Sequence, residues 1–154
     1  MKLKKQLSEI EALIEQEDQL ATEVSKAGTY WHLYHMMRVV MGIPQRLHES
    51  TPADYVYRFN FSHFYITLRG RIPRGVGKSP KVTTTENPIS KAQLHELLEQ
   101  AKTAVSTLDA LPRKAHFKHP YFGVLNKRQS INFMVLHTEH HLKIVREILE
   151  VVGK

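Results

Sequence analysis

Cysteine is missing altogether from the 154 residues. Its absence excludes disulfides, thiolate catalysis and cysteine-ligated metal sites together. Long apolar runs are missing too, since nothing approaches the roughly 18 residues of a membrane-spanning helix. Met1-Lys2-Leu3-Lys4-Lys5-Gln6 leads straight into polar amphipathic sequence, without a signal peptide's apolar stretch. A cytoplasmic protein with no membrane partner is the expectation. Acidic residues are in deficit, 15 against 22 Lys and Arg, for a formal net charge of +7. Such a balance favours anionic partners without selecting one. There is no internal repeat, low-complexity tract or nucleic-acid module. Gly75-Val76-Gly77-Lys78-Ser79 is too short for a phosphate-binding loop. The length and the ordinary hydrophobic share of 42% suit a single domain over residues 1–154.

Histidine, by contrast, is in excess: there are ten, and they cluster. Apolar residues return at Met134, Ile144, Val145, Ile148 and Val152, which predicts a long final helix. At roughly 100° per residue, His137 and His141 fall inside that apolar stripe, one turn apart, with His140 about 60° from His137. Imidazoles at i and i+4 can point at a common atom, as in helical zinc motifs. Buried among Leu, Ile, Val and Met, their ring nitrogens cost free energy unless something satisfies them. One histidine on an apolar face is ordinarily a hydrogen-bonded core residue; two in register raise a shared ligand, metal or substrate, to equal standing. A second pair, His32 and His35, lies in Trp31-His32-Leu33-Tyr34-His35-Met36-Met37-Arg38-Val39-Val40-Met41. This stretch is apolar nearly all round, so periodicity cannot choose between them.

Taken in order, the chain predicts four main helices. The first runs over residues 3 to 24, from Leu3 through Leu7, Ile10, Leu13, Ile14 and Leu20 to Val24, and breaks at Ser25 to Gly28. Thr29 is placed as N-cap of the second, which ends near Glu49. Residues 50 to 88 are irregular, apart from a short helix over Phe61 to Arg69 capped by Asn60 and stopped by Gly70. A basic loop from Arg69 to Lys81 follows. Ser90, with Gln93 three residues on, starts the third helix, which runs to Leu111 before Pro112. Residues 113 to 125 are expected as a loop, and Asn126 with Gln129 caps the last helix. The expected architecture is an all-α four-helix bundle, in which short links make the first two and the last two helices antiparallel neighbours. The long connection between the second and third permits an up-down-down-up order.

Four patches carry a family resemblance. Trp31-His32-Leu33-Tyr34-His35, Ile72-Pro73-Arg74-Gly75, His119-Pro120-Tyr121-Phe122-Gly123 and His137-Thr138-Glu139-His140-His141 resemble the DinB-like superfamily of metal-binding four-helix bundles. The resemblance implies a divalent metal on His35, His137 and His141, with His32 and His140 as alternates. It also implies, for several characterised members, a low-molecular-weight thiol as cosubstrate. Three neutral imidazoles and no thiolate suit zinc or nickel. Three protein ligands leave a position open for water or substrate. Trp31, Arg74, His119 and Tyr121 are candidates for the surrounding pocket. Glu139 is turned about 160° from His137, and no catalytic residue is assigned. The leading expectation is a metal-dependent transferase or hydrolase acting on a small molecule. A non-catalytic metal-binding protein and a basic nucleic-acid-binding module with structural histidines follow. Leu and Ala on exposed faces of the first and third helices are compatible with a homodimer.

Overall fold

A computed structural model describes residues 2–75 and 87–154. The latter part of the expected basic loop, from Val76 to Lys81, lies outside them. The first helix, α1, spans Lys2–Ile14 and buries Leu3, Leu7, Ile10 and Ile14 along one stripe. It stops ten residues short of the expected Val24, and the reason is local. After Ile14 no apolar residue follows until Leu20, and Glu15, Glu17 and Asp18 would set carboxylates on the negative end of the helix dipole. Asp18 serves the next helix instead. Its Oδ1 accepts from the backbone N–H of Tyr30 at 2.9 Å and from Thr29 Oγ1 at 3.0 Å.

That next helix, α2, spans Thr29–His48, so Thr29 is its first residue and Gly28 its N-cap. A Cβ at Gly28 would stand 2.8 Å from Asp18 Oδ1. The glycine is therefore what lets Asp18 cap a helix from eleven positions upstream. Tyr30, His32, Leu33, His35, Met36, Met37 and Val40 are all buried, as the apolar sequence of this helix requires. Helix α3, Phe61–Arg69, has its expected signals: Asn60 accepts from His63 N–H, and Gly70 closes it in the left-handed region at φ 61°. It buries only Ile66. Helix α4, Lys91–Ser106, is capped by Ser90 and runs into a 3-10 turn over Thr107–Ala110. The longest helix, α5, spans Lys127–Val152 and starts on a capping box formed by Asn126 and Gln129.

Between α4 and α5, where a loop was expected, β1 (His116–His119) pairs antiparallel with β2 (Gly123–Asn126). Phe117 lies opposite Leu125, and both are buried. The expected all-α four-helix bundle in up-down-down-up order is therefore corrected. Among the described residues, the fold is a mostly helical bundle of five helices with a small antiparallel hairpin. Helix pairing differs as well. Both α1 and α2 pack on α4 and α5, while α1 and α2 touch each other little. The expected neighbours presupposed short links, and those links are long: residues 15 to 28 are non-helical, and the hairpin occupies the other. No helix among the described residues is long and apolar enough to cross a membrane.

Candidate metal centre

Helices α2 and α5 lie side by side in the core and bring four histidines together. One ring nitrogen from each of His35, His137 and His141 lies within 4.8 Å of the other two. His35 Nε2 is 3.1 Å from His137 Nε2. The stripe of α5 that carries His137 and His141 is held down by Met134, Leu142 and Val145, all fully buried. From α1, Gln6 Nε2 donates to the Val135 carbonyl at 3.1 Å, pinning the same turn of α5.

Burial sets the electrostatics. Desolvation holds His137 and His141 well below the ordinary histidine range, and mutual repulsion among the neighbouring histidines adds to it. His32 is lowered to about 4, again by burial first and by His35 and His140 after it. His32, His137 and His141 are therefore neutral at physiological pH, each carrying one N–H and one lone pair. His137 Nδ1 is buried with no hydrogen-bond partner among the described residues. Two nitrogens each about 2.0–2.1 Å from one zinc ion can stand no more than about 4.2 Å apart. The 3.1 Å between His35 and His137 meets that condition. The donor set is three imidazoles without thiolate, which suits a borderline divalent cation. The cluster is a buried three-histidine site able to bind a metal ion.

The remaining candidates are placed around it. His32 stands outside the three: its Nδ1 is 2.9 Å from His141 Nδ1, and its Nε2 is 3.0 Å from Ser25 Oγ. His140 also stands outside, edge-on to the His141 ring at 5.0 Å and hydrogen-bonded to the Ile72 backbone. Trp31 lies stacked on His35. His140 lines a cavity of about 440 Å³ together with Tyr65, Arg69, Arg71, Arg74 and Lys143. Arg74 reaches Glu147 at 2.7 Å. Glu139, which lines the same cavity, is taken by Arg146 at 3.0 Å and Gln6 at 3.1 Å. His119 does not reach the cluster. Its ring packs against Phe122 and Phe133, both at 4.5 Å, and Phe133 stands between it and His137. His119 Nδ1 accepts from the backbone N–H groups of Tyr121 and Phe122 and so closes the hairpin turn. Tyr121 is half exposed at the tip of that turn.

Sequence reasoning missed Ser25 and Phe133. Ser25 sits in a segment expected only as a helix break, and no local pattern ties it to a histidine seven positions on. Phe133 carried a signal, since it lies one turn before His137 on the same helix.

Comparison with curated proteins and with solved structures yields no match. A family described as "Protein of unknown function (DUF1569)" matches residues 1–148, and the chain, with its buried three-histidine cluster, belongs to that family.

Proposed function

We propose that this protein binds a divalent metal, zinc or nickel, on His35, His137 and His141, and uses it in a transferase or hydrolase reaction on an anionic small molecule. The observation that carries the reading is the convergence of three imidazoles from two helices, one ring nitrogen of each within 4.8 Å of the others, with His137 and His141 held unprotonated by burial. A metal bound there would supply a Lewis acid able to polarise a carbonyl or lower the pKa of a bound water or thiol. The chain's own residues do the rest. Burial keeps the imidazoles of His137 and His141 unprotonated, and Trp31 covers one face of His35. Arg69, Arg71, Arg74 and Lys143 give the adjoining cavity a positive field that would draw and orient an anion. His140 forms the wall between that cavity and His141.

The DinB-like resemblance of the four sequence patches supports the same ligand set, and makes a low-molecular-weight thiol the cosubstrate to test. The reading takes residues 1–154 as one cytoplasmic domain. Exposed Val56, Tyr57, Phe59, Phe61 and Leu68 offer an apolar surface for a homodimer. One observation favours a non-catalytic metal protein as the second reading: Glu139, the carboxylate lining the cavity, is already committed to Arg146 and Gln6.

Elemental analysis of untagged protein purified without chelator tests the proposal. Near-stoichiometric zinc or nickel in wild type, lost in His137→Ala, is the expected result. A wild type free of metal that melts like the variant would sink it.

A further inference from the structure

His32 has no nitrogen to spare. Its Nδ1 meets His141 Nδ1 at 2.9 Å, and its Nε2 meets Ser25 Oγ at 3.0 Å. A neutral imidazole carries one N–H and one lone pair, so across the contact between the two Nδ1 atoms one ring donates and the other accepts. Only two settings satisfy all three groups. In the first, His141 donates its Nδ1–H to His32, and His32 donates its Nε2–H to Ser25 Oγ. In the second, both bonds run the other way, the serine hydroxyl donating to His32 and His32 donating to His141. The two settings differ in what they leave on His141 for a ligand. The first frees the lone pair of Nε2, whereas the second puts a proton there and spends the lone pair of Nδ1 on His32.

We propose that His32, backed by Ser25, is a positioning residue that holds His141 in its Nδ1–H tautomer and thereby reserves Nε2 as the ligand atom. Ser25 Oγ is built to receive. It already accepts the Ala27 N–H at 3.1 Å, which orients its oxygen within the turn. Ser25 itself is only partly buried, so its own hydroxyl proton can go to solvent. Its backbone N–H bonds the Ala21 carbonyl at 3.0 Å. The segment is anchored further on through Asp18, which caps α2 at the turn that carries His32. The relay thus runs from an anchored turn, through one buried ring, to the cluster. Partners that fix the free N–H of a ligating histidine set both its tautomer and its basicity, and losing one typically costs 10–100-fold in metal affinity. The same geometry removes His32 as a fourth ligand, because both of its nitrogens are engaged within the protein.

The inference rests on the metal reading for its purpose, but its first test does not. Nitrogen-15 correlation spectra of the imidazoles in metal-free protein at neutral pH should show His141 as Nδ1–H and His32 as Nε2–H. The reverse assignment overturns the proposal whatever the metal content. Zinc affinity by chelator competition is the second readout. His32→Leu should bind about 10–100-fold more weakly, while His32→Asn, whose side-chain oxygen can accept in place of Nδ1, should recover most of that loss. Leu and Asn variants that are equally weak, with a Co²⁺ absorption spectrum changed from wild type, would make His32 a ligand and overturn the proposal. So would a Leu variant that binds like wild type. Should His32→Leu fail to fold, Ser25→Ala decides: it should lower the Nδ1–H population of His141 and weaken zinc binding in the same direction. A wild type that takes up no zinc fails the metal reading, and the spectra then judge the tautomer by themselves.

Discussion

Trp31 lies flat on His35, with ring centroids 5.1 Å apart and planes inclined by only 12°. It is also the chain's single tryptophan. Its fluorescence therefore reports on one place in the molecule. Adding Ni²⁺ to metal-free protein should quench that emission and level off at one equivalent, and His35→Ala should abolish the response. Quenching that persists unchanged in the variant would move the ion elsewhere.

Stability should follow the metal. An ion that binds only the folded chain adds RT ln(1 + [L]/Kd), about 4 kcal/mol when free metal is about a thousand times Kd. Chelator should thus lower the melting temperature of metal-loaded wild type by several degrees and leave that of His137→Ala where it was. Equal shifts in both proteins would mean that the chelator acts away from the cluster.

The hairpin carries a separate pH signature. His119 is lowered from 6.5 to about 4, by burial first and by His63 second. Between those values the unfolded chain binds the proton and the folded chain does not, so stability rises with pH across that window. The contribution of His119 is complete above about 6.5 and is lost as pH falls towards 4. In His119→Asn the side-chain oxygen can still accept from Tyr121 and Phe122, but nothing titrates. Urea melts from pH 4 to 7 should give a shallower slope for the variant than for wild type. Parallel slopes would show that His119 is protonated in the fold.

Asp18 is the remote cap of α2, and Asp18→Ala should cost about 1 kcal/mol, within the usual range for a lost N-cap. Chemical denaturation measures it. Gly28→Ala should be destabilising as well, because the added methyl would meet the carboxylate that Asp18 holds there. Indifference to both changes would remove Asp18 from the account of how α2 begins.

The basic cavity predicts a sign for ligand preference. Phenyl phosphate should perturb the NMR signals of Leu136, His140 and Lys143, while benzyl alcohol at the same concentration should not. The response should weaken with added salt and in Arg71→Glu. A neutral probe that binds equally well would strip the cavity of its electrostatic role.

What could be read in advance follows the range of the forces involved. The caps at Asn60, Ser90 and Asn126 each rest on a bond made within three residues, and all three form as the residue types require. The one-turn register of His137 and His141 is a property of helical rotation alone. The end of α1 is local, in the carboxylates after Ile14, but the capping of α2 by Asp18 from eleven positions upstream has no local signal. The hairpin was missed because its strands are four residues each, too short to show an alternation, and are held by Phe117 and Leu125 meeting across a turn.

Sequence by itself therefore determined the helical character, the capping of α3 to α5, and the presence of two histidine pairs on buried helices. Tertiary structure decided which histidine of the α2 pair joins His137 and His141. Since α2 is apolar nearly all round between Trp31 and Met41, its own pattern does not choose between His32 and His35. The rotation of the helix about its axis is set by packing against α4 and α5 and by the Asp18 cap, and it turns His35 into the cluster and leaves His32 between His141 and Ser25.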